Sequence, residues 1–149
     1  PERPRRTSQM KEPHWLGLES VLALHELVVA DYGGDASIRD AGRLQSALAR
    51  PKHLFSYGEP TLARLAAAYA VGIVQGHPFT DGNKRTGFMA AAAFLELNGM
   101  KFEASEVEVV IKTLGLAASE VSEAEYGQWL AKSVEAPQAS KKPKKAKKK

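Results

Sequence analysis

Two Ala-rich stretches, residues 60–75 and 83–97, limit what this chain can fold into more than any other feature. The first sets Leu62, Leu65, Ala66, Tyr69, Ile73 and Val74 at helical spacing and is apolar on most sides. Such a segment suits a helix buried all round. The second runs from Asn83 to Leu97 and is closed by Asn98-Gly99. Small Ala side chains let two central helices approach closely, so core packing accounts for the Met89–Leu95 run. Between the two lies a break, Gly76–Gly82, which carries most of the chain's informative polar residues.

A central helix pair needs further helices to cover it. Leu18–Tyr32 has Leu18, Val21, Leu22, Val28 and Val29 near helical spacing, and Gly33-Gly34 ends it. Asp40 can cap a helix over residues 41–50, with Pro51 as its stop. His53–Pro60 mixes aromatics with turn residues and reads as a loop or small hairpin. Ser105…Glu108 and Ser122…Glu125 have the spacing of capping boxes, opening helices near 105–117 and 122–134. Met100–Phe102 reads as a short extended piece. The expected fold is all-α: a compact bundle of about six helices with one short flap hairpin or loop.

Charge must be read by segment. The chain's 149 residues carry a net +4, but the last nine residues hold seven of its 21 Lys and Arg. Without them 14 basic residues face 17 acidic ones, so the remainder is mildly acidic, at −3. We therefore expect a flexible arm over 1–13, a single domain over 14–135 and a disordered Lys-rich tail over 136–149. Nucleic acid is a candidate partner only through that tail. The absence of cysteine excludes a thiolate metal site and a cysteine nucleophile. The longest apolar run, Leu65–Val74, is half of the roughly 20 residues that span a bilayer. No apolar leader is present, and the reading is a cytoplasmic protein with no membrane partner.

The break and the start of the next helix read His77-Pro-Phe-Thr-Asp81-Gly-Asn83-Lys84-Arg85-Thr86. So many polar groups between the two most apolar helices disfavour a purely structural role. Gly82 permits a tight turn. Asn83, Lys84 and Arg85 then fall in the first helical turn, where free N–H groups and the helix dipole suit a phosphate. Lys84 adds a point charge and Arg85 a two-toothed contact. Asp81 is an oxygen ligand placed to hold Mg²⁺ against the same phosphates. His77 carries an imidazole that can take a proton from an attacking hydroxyl. For Asp81 a helix cap is the competing role; for Asn83 it is orientation of the loop. Phe79 is read as pinning the loop into the core, and Thr86 as a packing residue. There is no GxxxxGK(S/T) loop, and no third ligand completes a zinc site. His25 is read as a satisfied structural histidine, and His14 and His53 carry no signal.

This segment resembles the motif of the Fic/Doc family, HxFx(D/E)(G/A)N(G/K)R. Leu24-His25, Tyr32-Gly33-Gly34 and residues 40–48 resemble the N-terminal half of Doc-type toxins, and the likeness covers about 16–134. The resemblance implies an α-helical Fic fold and nucleotide-dependent modification of a protein hydroxyl, with ATP and Mg²⁺. Most Fic adenylyltransferases have Gly in place of Lys84 and a second Arg in place of Phe88. That Arg holds ATP's distal phosphates for AMP transfer. Lys84 is Doc-like, and Doc proteins transfer the γ-phosphate, with a Thr of elongation factor Tu as target type, arresting translation. The resemblance thus implies a kinase toxin with a cognate antitoxin. The catalytic set would be His77, Asp81, Asn83, Lys84 and Arg85; Gly82, Asn83, Lys84 and Arg85 would bind nucleotide and Asp81 metal.

Two alternatives stand. Pro78 and Gly82 are closer to the adenylyltransferase form, which keeps AMP transfer open. A non-catalytic nucleotide- or RNA-binding protein would act through the tail. The family's inhibitory helix pattern, (S/T)xxxE(G/N), has only an incomplete match at Ser119…Glu123-Ala124, so inhibition is expected from a separate antitoxin. The resemblance suggests residues 54–57 as the flap that aligns a target strand, with a plain connecting loop as the alternative.

Overall fold

The structure is a computed structural model that describes residues 11–58 and 60–135. Six helices are present among them: α1 (Leu18–Tyr32), α2 (Ala41–Ser56), α3 (Leu62–Gly76), α4 (Asn83–Leu97), α5 (Glu106–Ala117) and α6 (Glu123–Lys132). Two strands of two residues each, β1 (Lys101–Phe102) and β2 (Val134–Glu135), pair antiparallel and join the C-terminal end to the segment after α4. The all-α expectation holds. No helix in the described residues is long and apolar enough to cross a membrane.

Helix α3 is the centre. From Leu65 to Ala70 every residue is fully buried, because α2, α4, α5 and α6 all pack on it. Small residues set the spacing. An added Cβ at Gly87 of α4 would sit 2.5 Å from Val74 Cγ2, and one at Gly72 would meet Ala47 of α2 at 2.8 Å. Four helices begin on a side-chain cap: Asp40, Thr61, Ser105 and Ser122 each accept from the backbone N–H three residues on. The reciprocal capping box closes at Ser122, where Glu125 Oε1 accepts from the Ser122 N–H at 2.8 Å.

One expected element is corrected. The helix after Asp40 does not stop at Pro51, and no flap hairpin follows it in the described residues. Instead α2 runs through Pro51 to Ser56, with Tyr57 as its C-cap. Proline inside a helix costs about 3 kcal/mol. Burial offsets that cost: Pro51 is itself buried, and Leu54 and Phe55 pack against the core. The Phe55 ring stands edge-on to Trp15 at 5.7 Å.

The residues before α1 are tied down from position 12 onward. Glu12 Oε2 accepts from the Trp15 indole at 2.7 Å, and Pro13 is buried. Asn98 brackets His14, accepting from its N–H and donating to its carbonyl. The Tyr69 hydroxyl does the same at Leu16, at 2.8 and 3.1 Å. The rest of the arm, residues 1–10, and the Lys-rich tail lie outside the described residues.

Candidate active site

The break between α3 and α4 is a loop fastened from three sides. His77 ends α3 in a left-handed conformation, φ 51° and ψ 55°, and its N–H donates to Ile73. Phe79 is fully buried and stacks on the His25 ring of α1, with centroids 3.7 Å apart and planes 9° from parallel. His25 Nε2 donates to the Asp81 carbonyl at 2.8 Å. His25 is thus a satisfied structural histidine, and what it satisfies is this loop.

Asn83 closes the loop from within. Its Oδ1 accepts from the Phe79 N–H at 3.0 Å and its Nδ2 donates to the Phe79 carbonyl at 2.9 Å. That pairing fixes the amide's orientation and turns Nδ2 toward His77 Nδ1, 3.4 Å away. At that length the contact does not set the ring's tautomer. His77 is exposed, and its Nε2 makes no hydrogen bond among the described residues.

Gly82, at φ 83°, starts α4 without a side-chain cap. The positive φ favours glycine, and an added Cβ there would press on Val28 Cγ1 at 3.2 Å. The uncapped helix start leaves backbone N–H groups open beside Lys84 and Arg85. Lys84 is exposed. Arg85 lies over the Tyr32 ring, 3.8 Å from its centroid, with Glu106 at 4.0 Å. Thr86 is fully buried, and its hydroxyl finds no partner in the described residues, in keeping with a packing role.

A cavity of about 490 Å³ opens over this helix start. Asp81, Gly82, Asn83, Lys84 and Arg85 all line it, together with Tyr32, Gly34, Phe88 and residues of α5. His77 does not line it; it joins the site through Asn83. Phe88 lines both this cavity and a neighbouring one of about 860 Å³.

Asp81 is exposed, and its Oδ2 accepts from the Asp35 N–H at 2.8 Å. The Ser37 N–H, and then its hydroxyl, hold the Asp35 carboxyl below its usual range. No cluster of three or more His, Asp or Glu able to hold a metal occurs in the described residues. A lone carboxylate is nonetheless a fitting donor for Mg²⁺, which keeps several waters and takes its other ligands from substrate phosphates.

Sequence reasoning missed the strap over residues 35–43. Thr80 N–H donates to the Ser37 carbonyl, and both Arg39 and Asp40 N–H donate to the Pro78 carbonyl. Ile38 bridges Phe79. The Arg39 and Arg43 side chains reach the carbonyls of Gly76 and His77. The available signal was the pair of arginines four apart around a helix start, following Gly33-Gly34.

Comparison with known proteins places the chain in a family. The Fic/DOC family pattern matches residues 15–95. Protein kinase doc of Escherichia phage P1 is 36% identical over 106 residues, spanning 70% of this chain and 82% of that protein. Toxin Doc of Mycolicibacterium smegmatis is 38% identical over 93 residues, spanning 60% of this chain and 68% of that protein. The chain belongs to the Fic/DOC family. The two relatives are Doc proteins, the branch to which the motif's Lys84 also points.

Proposed function

We propose that this protein is a Doc-type toxin that phosphorylates a Ser or Thr hydroxyl of a translation protein, with ATP as donor. One observation carries the reading. An uncapped helix start, Lys84 and Arg85 converge with Asp81 on a single cavity, and His77 stands at the loop's other end. This arrangement supports a phosphate site, with His77, linked to it through Asn83, as the candidate base. The names of the two relatives, a protein kinase and a toxin, support the same reading.

In this mechanism Lys84, Arg85 and the α4 N–H groups hold the donor's phosphates. His77 Nε2 accepts the proton of the target hydroxyl. The hydroxyl oxygen bonds the γ-phosphorus, the bond to the leaving oxygen breaks, and ADP departs. The fixed charges and dipoles around the cavity stabilise the charge that develops. Asp81 would hold Mg²⁺, which supplies charge neutralisation at the phosphates. Asn83 orients the loop, as its double contact to Phe79 requires.

Phe88 favours phosphoryl over AMP transfer. It puts an aromatic ring on the cavity wall where adenylyltransferases have a phosphate-binding arginine. Elongation factor Tu is the target, and a separate antitoxin the inhibitor, that the family resemblance implies. The test is transfer of label from γ-labelled ATP into a protein of a bacterial lysate. Wild-type protein should label a band and His77→Ala should not, with both showing the same melt. Equal labelling by the variant would remove His77 as the base.

A further inference from the structure

His77 holds a backbone conformation that its sequence context opposes. A left-handed φ is disfavoured for any residue with a Cβ. A residue before proline ordinarily takes extended backbone, and Pro78 follows. Such a conformation persists only where its surroundings over-determine it. The α3 C-terminus adds a second demand. Its last carbonyls lack helical partners and carry partial negative charge, and α3 has no basic residue in its own last turn.

The strap meets both demands, chiefly through Arg39. Its backbone N–H donates to the Pro78 carbonyl at 2.7 Å, and its Nε donates to the His77 carbonyl at 2.9 Å. One residue therefore holds the carbonyls at both ends of the proline. Arg39 Nη2 and Arg43 Nη1 then converge on the Gly76 carbonyl, at 3.4 and 3.2 Å. Arg43 is itself steadied by Asp40, at 3.5 Å. The Arg39 side chain is exposed, so core packing does not explain it.

We infer that Arg39 is the positioning residue for His77. Its guanidinium clamps the left-handed turn and thereby sets where the imidazole stands relative to the phosphate cavity. The inference rests on the proposed role of His77 as base. Arg39 does not line the phosphate cavity, and its contacts to this loop are to the carbonyls of Gly76, His77 and Pro78.

The test is Arg39→Ala, read in two ways. Hydrogen exchange of the His77 amide reports the clamp directly, without activity. In wild type that N–H is bonded to Ile73 at 3.1 Å. In the variant it should exchange roughly tenfold faster, while amides in the middle of α3 keep their rates. Label transfer from γ-labelled ATP into the lysate acceptor reports the consequence. Apparent kcat should fall roughly tenfold or more with the KM for ATP nearly unchanged, since misplacing the base leaves donor binding intact. Arg39→Lys should recover part of the loss, because one of the donors returns. An unchanged His77 exchange rate, an unchanged kcat, or a KM that rises in step would each overturn the inference. Should Arg39→Ala melt early, Arg39→Lys carries the same comparison. If wild-type protein transfers no label, the kinase reading fails, and the exchange measurement still decides whether the clamp exists.

Discussion

Gly82 and Lys84 show how differently neighbouring residues serve the site. Gly82 is backbone: its φ of 83° strains any side chain, and a Cβ there would crowd Val28. Gly82→Ala should cost about 1–2 kcal/mol for the left-handed backbone alone, more once Val28 must move. A lowered denaturation midpoint together with lost label transfer checks this; a wild-type midpoint would mean the turn relaxes freely. Lys84 is charge: its side chain is exposed on the first turn of α4. Lys84→Ala should leave the melt unchanged and weaken ATP binding roughly tenfold, the size of one charge-assisted contact. Titration calorimetry with ATP and Mg²⁺ measures it. An unaltered affinity would move the phosphates away from this residue.

The placement of Asp81 through Arg85 is legible in the sequence, because they lie in one contiguous segment whose types each carry a chemical reason; that His77 stays off the cavity wall is not. Asp81 through Arg85 do converge on one cavity. The strap was not legible. Ser37, Arg39 and Asp40 reach Pro78 and Thr80 mainly through backbone groups some forty positions away in sequence. Backbone pairing of that kind leaves little mark on residue type.

At the scale of elements, helix ends were readable where caps are local. Leu18–Tyr32 and Asn83–Leu97 stand as expected, bounded by glycine or asparagine. The end of α2 was misread because Pro51 is a local stop signal that tertiary burial of Leu54 and Phe55 overrides. Contact between elements is equally specific. Gly87→Ala puts a Cβ 2.5 Å from Val74 Cγ2 and 3.2 Å from the Ala70 carbonyl, so Val74 or the α3–α4 spacing must give. Overpacking of this kind costs about 1–3 kcal/mol. Chemical denaturation should show that loss. Because α3 and α4 also carry the two ends of the loop, label transfer should fall with it. Full stability in Gly87→Ala would mean that the central pair is looser than its packing indicates.

The whole molecule carries its own pH limit. Tyr69 and Tyr126 are fully buried, and burial pushes each phenol up to about 12 from an ordinary value of 10.0. Below pH 10 both phenols are neutral in folded and unfolded chains alike, and their contribution is intact. Above it the unfolded chain ionises first, so stability drains as pH rises toward 12. The loss should be on the order of 2 kcal/mol for Tyr126 and, with solvent screening, smaller for Tyr69. Denaturant midpoints measured from pH 8 to pH 12 should therefore fall steeply above pH 10. Tyr126→Phe should flatten the fall, although it unpairs Thr113, whose hydroxyl meets Tyr126 at 2.8 Å.

The kinase reading turns on which phosphorus of ATP the target hydroxyl bonds. The most direct measurement incubates the protein with Mg²⁺ and a bacterial lysate in two parallel reactions, one with ATP labelled at the γ-phosphate and one at the α-phosphate. A kinase should give a protein band labelled from the γ-phosphate alone, and lost in His77→Ala. A band labelled from the α-phosphate alone would establish AMP transfer and contradict the reading of Lys84 and Phe88.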